Sequence, residues 1–188
     1  MHLKWLLLAL AIAVASGIVA YFLSRVVARG RPLLGWEDAL ELRRALNNAG
    51  RASLPFDAYV SVRSLIINLT LDGRGYRLGV ARTLIYFEAR DAPVYEEQLP
   101  QLWRAWGNGT HAGAISFMDV SDDGLTVTIR YVRAAAGRTS SICLTGGTPL
   151  PITLSSRQSG SVQLGATSYS WRGPRTVKIV ELKVAACG

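Results

Sequence analysis

Histidine is almost absent from this chain of 188 residues, where it occurs only as His2 and His111. A blue-copper centre needs two imidazoles and a thiolate, usually with a methionine. His2 precedes the hydrophobic run at the membrane-side end of the chain, so the set His111, Met118 and Cys143 is one imidazole short. A Ser-His-Asp relay is unsupported because no nucleophile motif such as G-x-S-x-G occurs, and zinc-binding spacings are missing too. The sequence therefore predicts no metal site, no cofactor and no catalytic residues, and we expect a protein that is not an enzyme.

Charged residues are scarce as well, at 18% of the chain against 49% hydrophobic residues. This balance excludes an intrinsically disordered chain. The net charge is +8, but the arginines that dominate it are spread along the chain without a dense run. Neither an RNA-recognition sequence nor a helix-turn-helix accompanies them. The charge is therefore typical of a solvated basic surface, and we expect no nucleic-acid partner.

Two further motifs lack the spacing that their chemistry needs. The glycines at 73–79 do not match G-x-G-x-x-G, and the residues after them are typical of a strand, which excludes a phosphate-binding loop of that kind. The acidic run at 119–124 lacks the EF-hand spacing and its closing glutamate. An acidic hairpin turn is the favoured interpretation of this run.

The sequence has one long hydrophobic run without charge, from Trp5 to Leu23. A helix of about 19 residues at 1.5 Å per residue crosses a hydrocarbon core of roughly 30 Å. A cleaved signal peptide is the alternative, because Ala13-Val14-Ala15 fits the A-x-A cleavage pattern. Apolar sequence continues well beyond that point, which favours an uncleaved transmembrane anchor.

Small residues are concentrated in the middle of this hydrophobic run. Ala9, Ala13 and Gly17 recur at intervals of four residues, and such spacing lets two helices approach closely in a membrane. We therefore expect this face to contact a second copy of the chain or a partner subunit.

Cysteine is limited to Cys143 and Cys187, and Cys187 is next to last in the chain. A bond between them would close a loop of about 45 residues, stabilise the fold by roughly 4 kcal/mol and hold a chain end that otherwise frays. Two separate buried thiols are the alternative. The favoured disulfide places the domain outside the reducing cytoplasm.

Two N-x-[ST] sequons, at Asn68 and Asn108, support the same location. Asn108 stands between two glycines and is predicted to lie in an exposed loop, whereas Asn68 is predicted to lie in a strand. The positive-inside rule points the other way, because Arg25, Arg29 and Arg31 follow the hydrophobic run. The cysteines and the sequons together favour an extracytoplasmic domain that is glycosylated at one or both sites.

The residues after the hydrophobic run begin with a helix and continue mainly as strands. The segment 36–49 has the apolar stripe of an amphipathic helix, which Gly50 ends. From Phe56 onward, alternating apolar and polar residues predict short strands in an immunoglobulin-like antiparallel β-sandwich. The alternation changes phase near Val180–Glu181, which indicates a bulge.

A second short helix is predicted to begin at Pro100. One face would then be shared by Leu99, Leu102, Trp103 and Trp106, and that face would be buried in the core.

We therefore divide the chain into three parts. Residues 1–29 are predicted to form the transmembrane helix, residues 30–55 a linker with the amphipathic helix, and residues 56–188 the extracytoplasmic β-sandwich domain.

An apolar N-terminal helix followed by a β-rich domain that ends in SYSWRGPRTVKIVEL resembles the archaeal type IV pilin and archaellin superfamily. The resemblance is greatest to the stator-type proteins of the archaellum, and it covers residues 3–28 and about 113–184. It implies an extracytoplasmic immunoglobulin-like domain that makes protein–protein contacts and has no enzymatic activity. The start MHLKW departs from the family, because it lacks the basic prefix and small residue at which prepilin peptidase cuts.

These features predict a membrane-anchored cell-surface protein with a structural or interaction role, pilin-like or associated with a filament. Its expected partners are the membrane, other copies of itself and other surface or membrane subunits. The alternative is an accessory subunit of a membrane enzyme complex, such as a respiratory complex.

Overall fold

The computed structural model describes residue 5 and residues 12–21, 34–95, 102–164 and 167–187. The chain divides into two compact units, Met1–Leu33 and Leu34–Gly188. In the first unit, residues 12–21 are helical and exposed, and we label this segment α1. Much of the predicted span Trp5–Leu23 lies outside the described residues, and within them no helix has the length and apolarity to cross a membrane.

Helix α2, Trp36–Ala49, opens the second unit and confirms the predicted amphipathic helix. The carboxylate of Asp38 accepts a hydrogen bond from the Gly35 N–H at 2.7 Å, and that of Asp91 accepts one from the Trp36 N–H at 2.9 Å. These carboxylates satisfy N–H groups that have no partner inside the first helical turn. Gly50 ends the helix in the left-handed region with φ 64°, as a C-terminal glycine commonly does.

The described part of the second unit is mainly β and contains an 11-stranded sheet with the order β3-β4-β5-β2-β1-β8-β11-β7-β6. The far end of β1 also pairs with β9, and β9 pairs with β10. The strands are β1 (Arg51–Leu71), β2 (Arg74–Glu88), β3 (Val94–Tyr95), β4 (Trp103–Asn108), β5 (His111–Ser116), β6 (Asp119–Asp122), β7 (Thr126–Ala134), β8 (Gly137–Ser156), β9 (Ser159–Leu164), β10 (Thr167–Arg172) and β11 (Arg175–Ala186).

One strand pair differs from the antiparallel arrangement that the sequence predicts. β7 and β11 run parallel, in register from Thr176↔Thr126 to Val184↔Ala134. β8 follows β7 after a short link, and β11 lies between β7 and β8 and pairs antiparallel with β8. Because β7 and β8 run in opposite directions, a strand between them must be parallel to one of the two.

Two hydrophobic cores give the sheet its sandwich-like form, and they lie on opposite faces of the β1–β2 pair. Ala58 and Val60 belong to the core around α2, whereas Ile67 and Leu69 belong to the core against β7 and β11. The buried residues thus change from even to odd numbers, although the pairing of β1 with β2 is uninterrupted. Since successive side chains point to opposite faces, the change means that the other face becomes buried.

The same change of face contributes to the phase shift near Val180–Glu181. Val177 and Ile179 belong to the same core as Ile67 and Leu69, whereas Val184 belongs to the core around α2. A register shift against β8 lies close to the predicted bulge, between Lys178, which pairs with Thr153, and Val180, which pairs with Pro149. The extra residues there belong to β8, and the pairing of β11 with β7 continues without a break. The shifted pattern in β11 therefore reports the passage from one core to the other, and the sequence prediction of a bulge in this strand is corrected.

The predicted helix at Pro100 is wrong over the residues that the structure describes. Trp103–Asn108 form β4, which pairs with β5 along its length, as in Ala105↔Ala114. Trp103 is fully buried in the core around α2, but Trp106 has the opposite strand parity and is only half-buried. The backbone hydrogen bonds to β5 outweigh a helical spacing that β4 meets only by coincidence. Leu99 and Pro100 lie outside the described residues.

Candidate functional site

The two cysteines are joined. The Cα atoms of Cys143 and Cys187 are 5.8 Å apart and their sulfur atoms 2.01 Å apart, which confirms the predicted disulfide. Cys143 lies in β8 and is in register with Arg51 of β1 and with Ala185 of β11. The Cys187 N–H also donates to the Ser141 carbonyl at 3.3 Å. The bond therefore ties the last residues of the chain to strands in the middle of the sheet.

Asn108 is the last residue of β4, at the start of the tight turn to β5, and is exposed, as predicted. Its Oδ1 accepts hydrogen bonds from the Thr110 N–H at 3.2 Å, from the Thr110 Oγ1 hydroxyl at 3.3 Å and from the His111 N–H at 2.9 Å. Gly109 supplies the left-handed residue of the turn, with φ 93°. These bonds direct the amide oxygen into the turn, so the planar amide group directs Nδ2 away from it.

An aromatic row lies on the same face of the sheet as Asn108, and we use this name for Tyr59, Tyr86, Trp106 and His111. The rings of Tyr59 and Tyr86 stack with centroids 5.4 Å apart. Tyr86 makes edge contacts with Trp106 at 6.5 Å and with His111 at 5.8 Å. His111 Nδ1 is 2.9 Å from Thr110 Oγ1, so the turn and the row form one contiguous cluster.

Sequence reasoning missed this row because its members come from β1, β2, β4 and β5. Tyr59 is in register with Tyr86, Tyr86 with Gly113, and Gly113 with Trp106. No local pattern reveals such a cross-strand alignment. One signal was present, however: Trp106 stands two residues before the sequon asparagine, where a strand places both side chains on one face.

Asn68 lies in the middle of β1 with an exposed side chain. It is in register with Arg77 of β2 and with Gln163 of β9, and both of these residues are exposed. The face around Asn68 is polar and built mainly of small side chains, including Thr70 and Ser170. A sugar on Asn68 therefore meets no buried surface, although Asn68 lies within a strand.

Asp72, in the turn between β1 and β2, is hydrogen-bonded to the turn between β8 and β9. Its carboxylate accepts hydrogen bonds from the N–H groups of Arg157, Gln158 and Ser159, at 2.7, 2.8 and 3.1 Å. These three donors favour the ionised form and hold the pKa of Asp72 below its usual value. The carboxylate therefore has a structural role, since its three hydrogen bonds link the β1–β2 turn to the β8–β9 turn.

The acidic run at 119–124 forms the turn between β6 and β7. Asp122 accepts hydrogen bonds from the Gly124 N–H at 2.8 Å and from Arg175 Nε at 3.0 Å, and these lower its pKa. Asp123 accepts bonds from the N–H groups of Leu125 and Thr126. These carboxylates cap the turn, which confirms the acidic hairpin turn. Over the described residues no cluster of three or more His, Cys, Asp or Glu side chains could hold a metal ion.

Of the three small residues predicted to mediate helix packing, Ala13 and Gly17 lie in the described helical segment, and Ala9 lies outside it. Ala13 and Gly17 are exposed. A Cβ added at Gly17 would meet no atom of the described chain within 4 Å.

Comparison with known proteins gives no match: no family, no curated protein and no solved structure is significantly similar to this chain. The sequence and the geometry described above are therefore the basis for its function.

Proposed function

We propose that this chain is a membrane-anchored, non-enzymatic protein of the cell exterior whose β-rich domain serves in structure and protein–protein interaction. In this proposal the domain is an immunoglobulin-like sandwich of the kind found in archaeal pilin-like and archaellum stator-type proteins. The observation that carries it is the disulfide between Cys143 and Cys187. Bonds of this kind persist in oxidising compartments and are rare in the cytoplasm.

The two sequons support the same side of the membrane. Asn68 and Asn108 lie in different parts of the sheet, and both side chains are exposed. A glycan at either site displaces no packed side chain, because the first site lies on an open polar face and the second in a surface turn. An exterior domain thus accounts for the disulfide and the sequons together.

The hydrophobic run Trp5–Leu23 supplies the membrane anchor in this proposal. The disulfide and the sequons outweigh the three arginines that follow the run in deciding on which side of the membrane the domain lies. The small residues of the run provide the contact with a second copy or with another surface or membrane subunit. In a filament, the same helices would pack against each other and exclude water.

The first experiment accounts for the thiols and sugars of native protein isolated from its own membrane. After thiol alkylation and unfolding without reductant, we expect both cysteines to be unmodified and the polypeptide to be two hydrogen masses lighter than the reduced chain. We also expect a glycan on Asn68, on Asn108 or on both in peptide mass spectra. Alkylated Cys143 and Cys187 with bare sequons would contradict the exterior location.

The second experiment tests the helix contact through Gly17→Leu. The larger side chain keeps the helix hydrophobic but blocks close approach of a second helix. A Cβ at this position meets no atom of the described chain within 4 Å. We expect cross-linking of the full-length chain in membranes to fall several-fold, while Ile18→Leu, one position along the helix, leaves it unchanged. Equal cross-linking of both variants would show that the helix is only an anchor and makes no contact through Gly17. Cross-linked haem- or copper-bearing subunits would favour the alternative, an accessory subunit of a membrane enzyme complex.

A further inference from the structure

We propose that the first sugar of a glycan on Asn108 packs against the indole ring of Trp106, so that the β4–β5 turn is a glycan-stacking site. The proposal rests on the exterior location proposed above, since an unmodified Asn108 has no sugar to place. It adds a specific occupant for the exposed side of the aromatic row.

The spacing of the two residues places the sugar over the ring. Trp106 and Asn108 are separated by one residue of β4, so both side chains lie on the same face of the sheet. The residue between them, Gly107, faces the opposite side and is buried. Trp106 itself is only half-buried, so part of the indole remains open on the side that carries Asn108.

The turn orients the nitrogen to which the sugar would be attached. Three donors from Thr110 and His111 hold Oδ1 of Asn108 and leave Nδ2 directed outward. A sugar on Nδ2 therefore extends from an amide group that is already ordered. Little conformational freedom remains to be lost when the sugar contacts the ring.

The neighbouring residues leave the ring supported and accessible. Gly113, the β5 residue in register with both Tyr86 and Trp106, lies so close to β2 that a Cβ there would overlap the Ile85 carbonyl oxygen, and this close approach of the strands supports the ring from below. Tyr86 contacts Trp106 with the two rings inclined at 70°. The C–H bonds on one face of a pyranose ring carry partial positive charge, and the electron-rich face of an aromatic ring attracts such groups. His111 lies beside the turn as a polar ring that can hydrogen-bond to sugar hydroxyl groups.

The second sequon provides a matched control within the same chain. The residue two positions before Asn68 is Ile66, which is 56% exposed and not aromatic. Both sequons end in threonine and both asparagines are exposed. A stabilising effect that comes from stacking should therefore appear at Asn108 and be absent at Asn68.

The test uses the full chain from a secretory host that attaches N-acetylglucosamine to sequons, with the glycan trimmed to its first sugar. Asn68→Gln isolates the site at Asn108, and each variant is compared with unglycosylated chain made in an oxidising bacterial compartment. We expect the sugar to raise the melting temperature by about 3 °C when Trp106 is present and by less than about 1 °C in Trp106→Ala. In the control pair, Asn108→Gln with or without Ile66→Ala, the effect of the sugar on Asn68 should not depend on Ile66.

A measurement on the glycosylated chain with Trp106 in place covers the case in which Trp106→Ala does not fold. Protons of the first sugar that lie over the indole should show upfield ring-current shifts in the NMR spectrum, which disappear on unfolding. A sugar on Asn108 without such shifts, or with an equal stabilising effect in Trp106→Ala, overturns the stacking and leaves the exterior location intact. If peptide mass spectra show no glycan on Asn108 in native protein whose disulfide is formed, the stacking proposal is overturned without any stability measurement.

Discussion

Replacing Cys143 and Cys187 together by alanine is expected to lower the free energy of unfolding by about 4 kcal/mol. The two cysteines are 44 positions apart, so the bond removes much of the freedom of a long loop in the unfolded chain. The melting temperature should fall by roughly 10 °C. Urea unfolding monitored by circular dichroism, with both proteins under non-reducing conditions, measures the difference.

Reduction of the unaltered chain provides the control for this result. Reductant should lower the stability of the parent chain by a similar amount and leave the double alanine variant unchanged. If the variant lost less than about 1 kcal/mol, the disulfide would not be what holds the end of β11 to β8. The β11–β8 and β11–β7 pairing would then suffice to hold the end of the chain.

Replacing Trp103 by alanine should cost a similar amount, about 4 kcal/mol, because a buried aromatic side chain leaves a large cavity. Trp103 is 0% exposed in the core around α2, and its backbone N–H and carbonyl bond to the side chain of Asn47 at 3.1 and 3.2 Å. In the unglycosylated chain, Trp106→Ala should cost less than half as much, since that ring is only half-buried. Urea unfolding of both variants measures the contrast.

The difference in stability loss between the Trp103 and Trp106 variants distinguishes the strand β4 from the helix that the sequence predicts. A helix would bury both rings on one face, so both variants would then lose comparable stability. Trp103→Phe is the conservative control, because Nε1 of Trp103 makes no hydrogen bond within the described part of the chain. It should cost much less than Trp103→Ala if the loss comes from the cavity.

The elements that could be predicted from the sequence are those decided by neighbours in the chain. α2 has its apolar stripe, its first-turn carboxylate and its terminal glycine within residues 36–50, so local interactions were sufficient. The acidic turn at 119–124 was predictable for the same reason, since aspartate side chains there bond to backbone groups two or three residues away. The sequence limited a disulfide to the pair Cys143 and Cys187, and the 5.8 Å between their Cα atoms decided that the two are bonded rather than separate thiols.

The elements that could not be predicted depend on residues distant in sequence. The spacing of Leu102, Trp103 and Trp106 is compatible with a helix, and only pairing with β5 decides that Trp103 and Trp106 belong to opposite faces of a strand. The aromatic row has the same origin, because its residues come together through the register of four strands.

The sequence by itself determined the mainly β character of this protein and helix α2, because these follow from local periodicity and local capping, and it limited a disulfide to one possible pair of thiols. The tertiary structure alone decided that β11 lies parallel to β7, that β1 and β2 bury opposite faces at their two ends, and that Trp106 of β4 is in register with Gly113 of β5. The physical reason is that a strand satisfies its hydrogen bonds only through partners elsewhere in the chain. The register with those partners, more than the identity of the residue, sets what each outward side chain meets.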